Sequence, residues 1–124
     1  MLHHIALSIK RSDLKAFYIK LLGGKVIDYN TLVSEQMYRI FNIPQAVEVY
    51  YVEIDQTIFE LFIHDTPLPV TYNHHCLVKT DAADVFQKAY KKHYPVYRRA
   101  VKTKETFFIR DKNGNLFELK TDKK

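Results

Sequence analysis

Cysteine is nearly missing from this sequence. Cys76 stands alone, so no intramolecular disulfide can form, and nothing argues for an oxidising compartment. Long apolar runs are missing too. None reaches the roughly 18 residues that a membrane span requires. The start, Met1-Leu2-His3-His4-Ile5, lacks the basic residues and extended apolar stretch of a signal peptide. A cytoplasmic protein with no membrane partner is the expectation. A concentrated basic stripe is also absent. The net charge of +5 comes from 19 basic and 14 acidic residues, and the lysines are scattered except at the C-terminus. That balance argues against nucleic acid and suits a small, anionic partner at most.

What is present is a core. Hydrophobic residues make up 47% of the 124 residues, with nine Tyr and eight Phe. This length fits one domain, or two small repeats sharing a core, and the aromatic content suits packed strands. Positions 3–9 alternate as a strand. Ser12 is placed to cap a helix whose apolar side is Leu14, Phe17, Tyr18, Leu21 and Leu22, and Gly23-Gly24 closes it. Strands follow at 25–32, 47–54 and 57–63, with a turn at Asp55-Gln56. Between the first two, Ser34–Ile43 fits a short helix stopped by Pro44. Pro67 and Pro69 mark a linker over 65–71.

The pattern then restarts. A strand is expected at 73–79, then a helix capped by Thr80 or Asp81 with Val85, Phe86, Ala89 and Tyr90 inward. Three strands follow at 96–101, 106–109 and 115–120, and the tail over 121–124 is polar. The last two strands flank Asp111-Lys112-Asn113-Gly114-Asn115, where Asn and Gly supply the positive-φ positions of a tight turn. On the final strand Leu116, Glu118 and Lys120 share one face, and Phe117 and Leu119 the other.

The two halves match. His3-His4-Ile5 opens the first and His74-His75-Cys76 the second. Phe59-Glu60-Leu61 closes the first and Phe117-Glu118-Leu119 the second. The shorter second half lacks the 34–43 insertion. A duplication of this kind decides the fold. The expected class is α+β, a single domain over 1–124 with module one at about 1–64 and module two at about 72–120. A lone His or Glu in a strand is more often solvated than a ligand. Four at matched places are another matter. If the modules pack by pseudo-twofold symmetry, one His and one Glu from each can converge. Two imidazoles and two carboxylates suit one divalent ion of the Zn, Ni, Co, Mn or Fe group. Strand alternation sends one His of each doublet to that face. His4 and His75, each next to its apolar run, are chosen, which leaves His3 and His74 on the opposite face.

The chain resembles the vicinal oxygen chelate superfamily, which includes glyoxalases, bleomycin-resistance proteins and extradiol dioxygenases. His4-Ile5-Ala6-Leu7-Ser8-Ile9-Lys10, with Asp13-Leu14-Lys15-Ala16-Phe17-Tyr18 and Leu21-Leu22-Gly23-Gly24, is similar to the family's opening strand and helix. Phe108 to Leu119 resembles its closing hairpin, with Lys112 where Pro is usual. The resemblance implies two βαβββ modules forming a cup-shaped, mostly antiparallel sheet around a metal held by His4, Glu60, His75 and Glu118. Bleomycin-binding members typically lack such ligands. Dioxygenases and fosfomycin-modifying members typically do not use the position of Glu60. A full set of four resembles glyoxalase I and methylmalonyl-CoA epimerase, both of which abstract a proton next to a carbonyl.

The resemblance therefore implies a metal-dependent lyase or isomerase acting on a small 2-oxo or 2-hydroxy compound or thioester. Glu118 would be the base, Glu60 its counterpart, and the assembly a homodimer. A metal supplies Lewis acidity for the departing α-proton, and a carboxylate beside it accepts that proton. Ser8 stands where glyoxalase I carries a glutathione-binding Arg, which weakens a glutathione reading. The alternatives are a drug-binding protein without catalysis, and an iron-dependent oxygenase, against which Glu60 argues. Arg98, Arg99, Lys102 and Lys104 form either a solvated strand, the favoured reading, or an anion site.

Overall fold

The computed structural model describes residues 1–121. The chain divides into two compact units, Met1–Thr66 and a second that begins at Pro67. The first contains β1 (Ile5–Ile9), a helix α1, β2 (Lys25–Leu32), α2 (Ser34–Phe41), β3 (Val47–Ile54) and β4 (Thr57–Ile63). The helix α1 starts as Arg11–Asp13 and continues as a π-helical stretch over Leu14–Ile19. The second unit contains β5 (His75–Val78), α3 (Ala82–Lys91), β6 (Val96–Val101), β7 (Lys104–Arg110) and β8 (Leu116–Lys120).

Each unit builds one four-stranded sheet, ordered β1-β4-β3-β2 and β5-β8-β7-β6. The first and last strands of each unit run parallel, and the other pairs are antiparallel. A parallel pair needs a crossover, and a helix supplies it in both units. The repeated βαβββ order expected from the two Phe-Glu-Leu endings is therefore present. The second unit has no counterpart of α2.

In the first unit, Ile9, Val52, Ile54, Phe59 and Leu61 of one sheet face are fully buried, as are Phe17 and Tyr18 of α1 and Leu22 just beyond it. Gly24 is the tight point. A Cβ there would lie 2.6 Å from both the Tyr18 carbonyl oxygen and Val52 Cγ1. The opposite face is only partly covered. Met37 of α2 clusters there with Val47, Val49 and Phe62, and Leu32 and Tyr51 pack beside them. In the second unit, Phe107, Ile109, Phe117 and Leu119 are buried, together with Ala82, Val85 and Ala89 of α3. The Phe86 and Phe107 rings lie 5.1 Å apart.

Strands β2, β3, β4 and β6 fall where alternation places them. The helix ends differ. Ser12 does not cap α1, because the helix already begins at Arg11 with extended Lys10 as its N-cap and no side-chain cap bond. The terminator of α2 is Asn42, left-handed at φ 61, rather than Pro44. Tyr90 points to solvent at 63% exposure, since α3 buries a stripe narrowed to Ala82, Val85 and Ala89. The 111–115 turn needs one positive-φ residue, Gly114 at φ 99. Asp111 organises that turn by accepting bonds from the Asn113 and Asn115 amides and from Asn115 Nδ2 at 3.1, 2.8 and 2.7 Å. Of the 121–124 tail, residues 122–124 lie outside the described residues. Among the described residues no helix is long and apolar enough to cross a membrane.

Candidate functional site

Register decides which side chains meet. Ala6 pairs with Glu60 across β1 and β4. His4 lies two residues before Ala6, so it points to the face of Glu60. His4 Nε2 stands 3.7 Å from Glu60 Oε1, with the carboxylate side chain only 14% exposed. On the other side Glu60 pairs with Tyr51. The Tyr51 hydroxyl donates to the Glu60 carboxylate; that bond, then burial and the nearby negative charge, pushes Tyr51 up to about 12. The Tyr51 ring also meets His4 edge-on, at 6.1 Å between centroids. His3 Nδ1 and His4 Nδ1 are 2.9 Å apart, so one of the two carries the shared proton.

The second unit repeats this with one change. Cys76 pairs with Glu118 across β5 and β8, so the residue two positions earlier, His74, is the one that faces the carboxylate. His74 Nε2 lies 3.1 Å from Glu118 Oε1, and the glutamate side chain is 17% exposed. The choice of His75 is therefore corrected to His74. His75 is a strand residue paired with Phe117, its ring lies 5.8 Å from the Phe117 ring, and burial, then the neighbouring His74, holds its pKa below the ordinary imidazole value. Lining up the two His doublets misled. Lining up the inward Leu7 and Leu77, which pair with Leu61 and Leu119, matches His4 to His74.

Both histidines are oriented through their second nitrogen. His74 Nδ1–H donates to the Tyr72 carbonyl at 2.8 Å, which turns Nε2 toward the Glu118 carboxylate; with that nitrogen unprotonated, both are acceptors. Two acceptors in that position require a proton or a cation between them. Donors held 2.0–2.2 Å from one ion, at angles between tetrahedral and octahedral, lie about 2.8–3.6 Å apart. The 3.1 Å pair meets this spacing and the 3.7 Å pair is within a small side-chain adjustment of it. A ring N–H given to a backbone carbonyl is also how metal-ligating histidines are usually held. The donor chemistry thus fits a divalent metal. Among the described residues, no group of three or more His, Cys, Asp or Glu that could hold an ion is found. Each unit holds one His–Glu pair.

Glu118 has further neighbours. Lys120 Nζ lies 3.9 Å from Oε2. Cys76 hydrogen-bonds the same carboxylate, and burial, with Glu118's charge behind it, pushes the thiol pKa up. The strand face around Glu118 continues into a recess of about 560 Å³ in the second unit, whose lining includes Arg99, Lys102, Lys104 and Lys120. The other charged pair of this hairpin, Arg98 with Glu105, has the opposite strand parity. Tyr51, His74 and the Tyr72 carbonyl are the contributors that sequence reasoning missed.

The fold is that of the vicinal oxygen chelate superfamily, two βαβββ units in succession. Its particular likeness is to fosfomycin resistance proteins. FosX from Listeria monocytogenes, in a complex with Mn(II) and 1S,2S-dihydroxypropylphosphonic acid, matches with a TM-score of 0.73 at 16% identity, over 99% of this chain and 93% of that one. FosX from Mesorhizobium loti matches with a TM-score of 0.69 at 12% identity, over 99% and 92%. The protein SMU.1112c matches with a TM-score of 0.68 at 17% identity, over 97% of both chains. No family model matches the sequence, and no curated protein does.

Proposed function

We propose that this protein is a divalent-metal-dependent enzyme that abstracts a proton next to a carbonyl of a small 2-oxo or 2-hydroxy compound or thioester, as a lyase or isomerase of glyoxalase type. The repeated His–Glu pair carries this reading. His4 with Glu60 and His74 with Glu118 stand at the same register position of each unit, each imidazole turned toward a half-hidden carboxylate. These four side chains would be the ligands of an ion of the Zn, Ni, Co, Mn or Fe group, and Mn(II) is bound in the similar Listeria protein. When bound, the ion supplies Lewis acidity for a substrate oxygen.

The carboxylates then divide the work. The Tyr51 hydrogen bond occupies part of the Glu60 carboxylate and fixes it as a ligand. Glu118 is the proton acceptor. Its Oε1 turns to His74, so Oε2 is the atom placed to take the α-proton, with Lys120 3.9 Å away. A small-molecule substrate and a homodimer belong to the same proposal. The test loads the protein with Mn(II), Ni(II) or Zn(II) in D2O and follows α-proton exchange by NMR across a panel of 2-oxo acids, 2-hydroxy acids and thioesters. Glu118→Gln should slow exchange by about 100-fold or more while Tyr51→Phe keeps most of it. Equal exchange by Glu118→Gln and wild type would remove Glu118 from the role of base.

A second reading has its own observation. The basic recess beside Glu118 suits a phosphonate or carboxylate, and the similar structures include fosfomycin resistance proteins, one holding a dihydroxyphosphonate. Consumption of fosfomycin by the Mn(II)-loaded protein, followed by 31P NMR, would favour that reading over proton abstraction. Tight ligand binding that is indifferent to both metal and Glu118→Gln would favour a non-catalytic binding protein.

A further inference from the structure

The first unit holds a cavity that the metal-ligand pairs do not explain. It measures about 210 Å³ and lies between α2 with its following loop and the sheet face that carries Glu60. Met37, Phe41 and Ile43 form one wall, and Ala6 and Phe62 the other. Ser8, Gln45 and His64 are its polar members, and no Lys, Arg, Asp or Glu lines it.

Register ties this slot to the reacting end. Ala6 lines the cavity and is also the strand partner of Glu60. Phe62 is two residues beyond Glu60 on the same strand and the same face, a step of about 7 Å. Two of the slot's lining residues, Ala6 and Phe62, therefore flank Glu60 on its own sheet face, within the span of a small molecule. The slot's builder is specific to this half. The His–Glu pair occurs in both units, but α2 occurs only in the first.

We infer that the slot under α2 seats a neutral, benzene-sized hydrocarbon substituent of the substrate, so that the substrate is an oxygenated compound bearing a compact ring or short alkyl group. Size and chemistry select this occupant. An apolar cavity of about 150 Å³ is enough to stay dry and take up benzene. A charged substituent would lose its hydration here with no Lys, Arg, Asp or Glu to compensate. The inference rests on the proposed function only for the placement of the reacting end; occupancy of the slot is testable by itself.

The chain has two methionines. Met37 is 4% exposed at the slot, and Met1 is fully exposed. Protein labelled at the methionine methyl groups with 13C is titrated with toluene. The Met37 methyl signal should shift saturably while Met1 stays still. Ala46→Phe, which adds a ring at the slot's rim, should weaken toluene binding about ten-fold, with Mn(II) binding, followed by electron paramagnetic resonance, unchanged. Phe41→Ala, which widens the slot, should move the preference from toluene to naphthalene. Absence of a saturable Met37 shift in the wild type overturns the inference. So does toluene binding that is unaltered in both variants. If Met37 responds as expected but Mn(II) does not bind, the slot stands and the metal-dependent reading falls.

Discussion

His74 and His75 are neighbours in sequence, yet strand alternation gives them separate surroundings. One faces Glu118, and the other packs on Phe117. His74→Ala should lower Mn(II) or Zn(II) affinity by about 100-fold or more, as measured by isothermal titration, whereas His75→Ala should leave metal affinity within a few-fold and reduce stability instead. The His and Glu types of each pair were legible in the sequence, because His and Glu at repeated strand positions carry chemistry of their own. The partner of Glu118 was not, since two adjacent histidines look alike until the β5–β8 register is known. Tyr51 was invisible for a related reason: its hydrogen bond to Glu60 crosses from one strand to the next.

His75 also gives a pH dependence in the metal-free protein. Its pKa is lowered in the fold by burial, so the unfolded chain takes up a proton that the folded one resists. The stabilising contribution is therefore present above the ordinary imidazole value of about 6.5 and is lost as pH falls below it. His75→Phe should flatten the acid side of the stability profile, read by urea unfolding in EDTA at pH 7.5 and 5.5. An unchanged slope between those values would show that His75 does not titrate as its burial requires.

At the scale of elements, strands were easier to read than helix ends. β3 and β4 begin and end where expected, because one face is buried and a one-residue slip would expose it; β2, exposed along nearly all its length, is held by its pairing with β3. Helix termini depend on single backbone residues, such as Asn42 in its left-handed conformation. Two positions test how elements are joined. Gly24→Ala places a methyl 2.6 Å from the Tyr18 carbonyl and Val52, and should cost about 1–3 kcal/mol. Asp111→Ala removes the carboxylate that holds the β7–β8 turn, and should cost about 1.5–3 kcal/mol, the range for a hydrogen bond to a charged group. Chemical denaturation of each variant checks both, and the Asp111 change should be reported locally by faster amide exchange over 111–115.

Across the whole molecule, the duplication was the most legible feature. Two Phe-Glu-Leu endings and two His doublets mark out two βαβββ units along the chain, and the sheet orders agree. The α2 insertion was legible as a helix, but its cavity was not, because a cavity is made by the residues it separates. If the four ligands bind one ion only in the folded chain, metal at about one hundred times its dissociation constant should add about 2.7 kcal/mol to stability. Thermal unfolding with and without Mn(II) measures this, and the double variant His4→Ala, His74→Ala should show no such gain.

The strand order has a consequence for the making of the protein. In each unit the histidine lies just before the first strand and the glutamate is on the last, and these two strands pair in parallel. A growing chain therefore carries its first strand unpaired until the whole unit has been synthesised. Such distant pairing is slow to form. Neither ligand pair exists in a partly made unit, however much helix or hairpin it already contains. If the proposed metal binds, a nascent chain could acquire it at a pair only after the closing strand of that unit has docked, and the ion would report finished topology rather than template it.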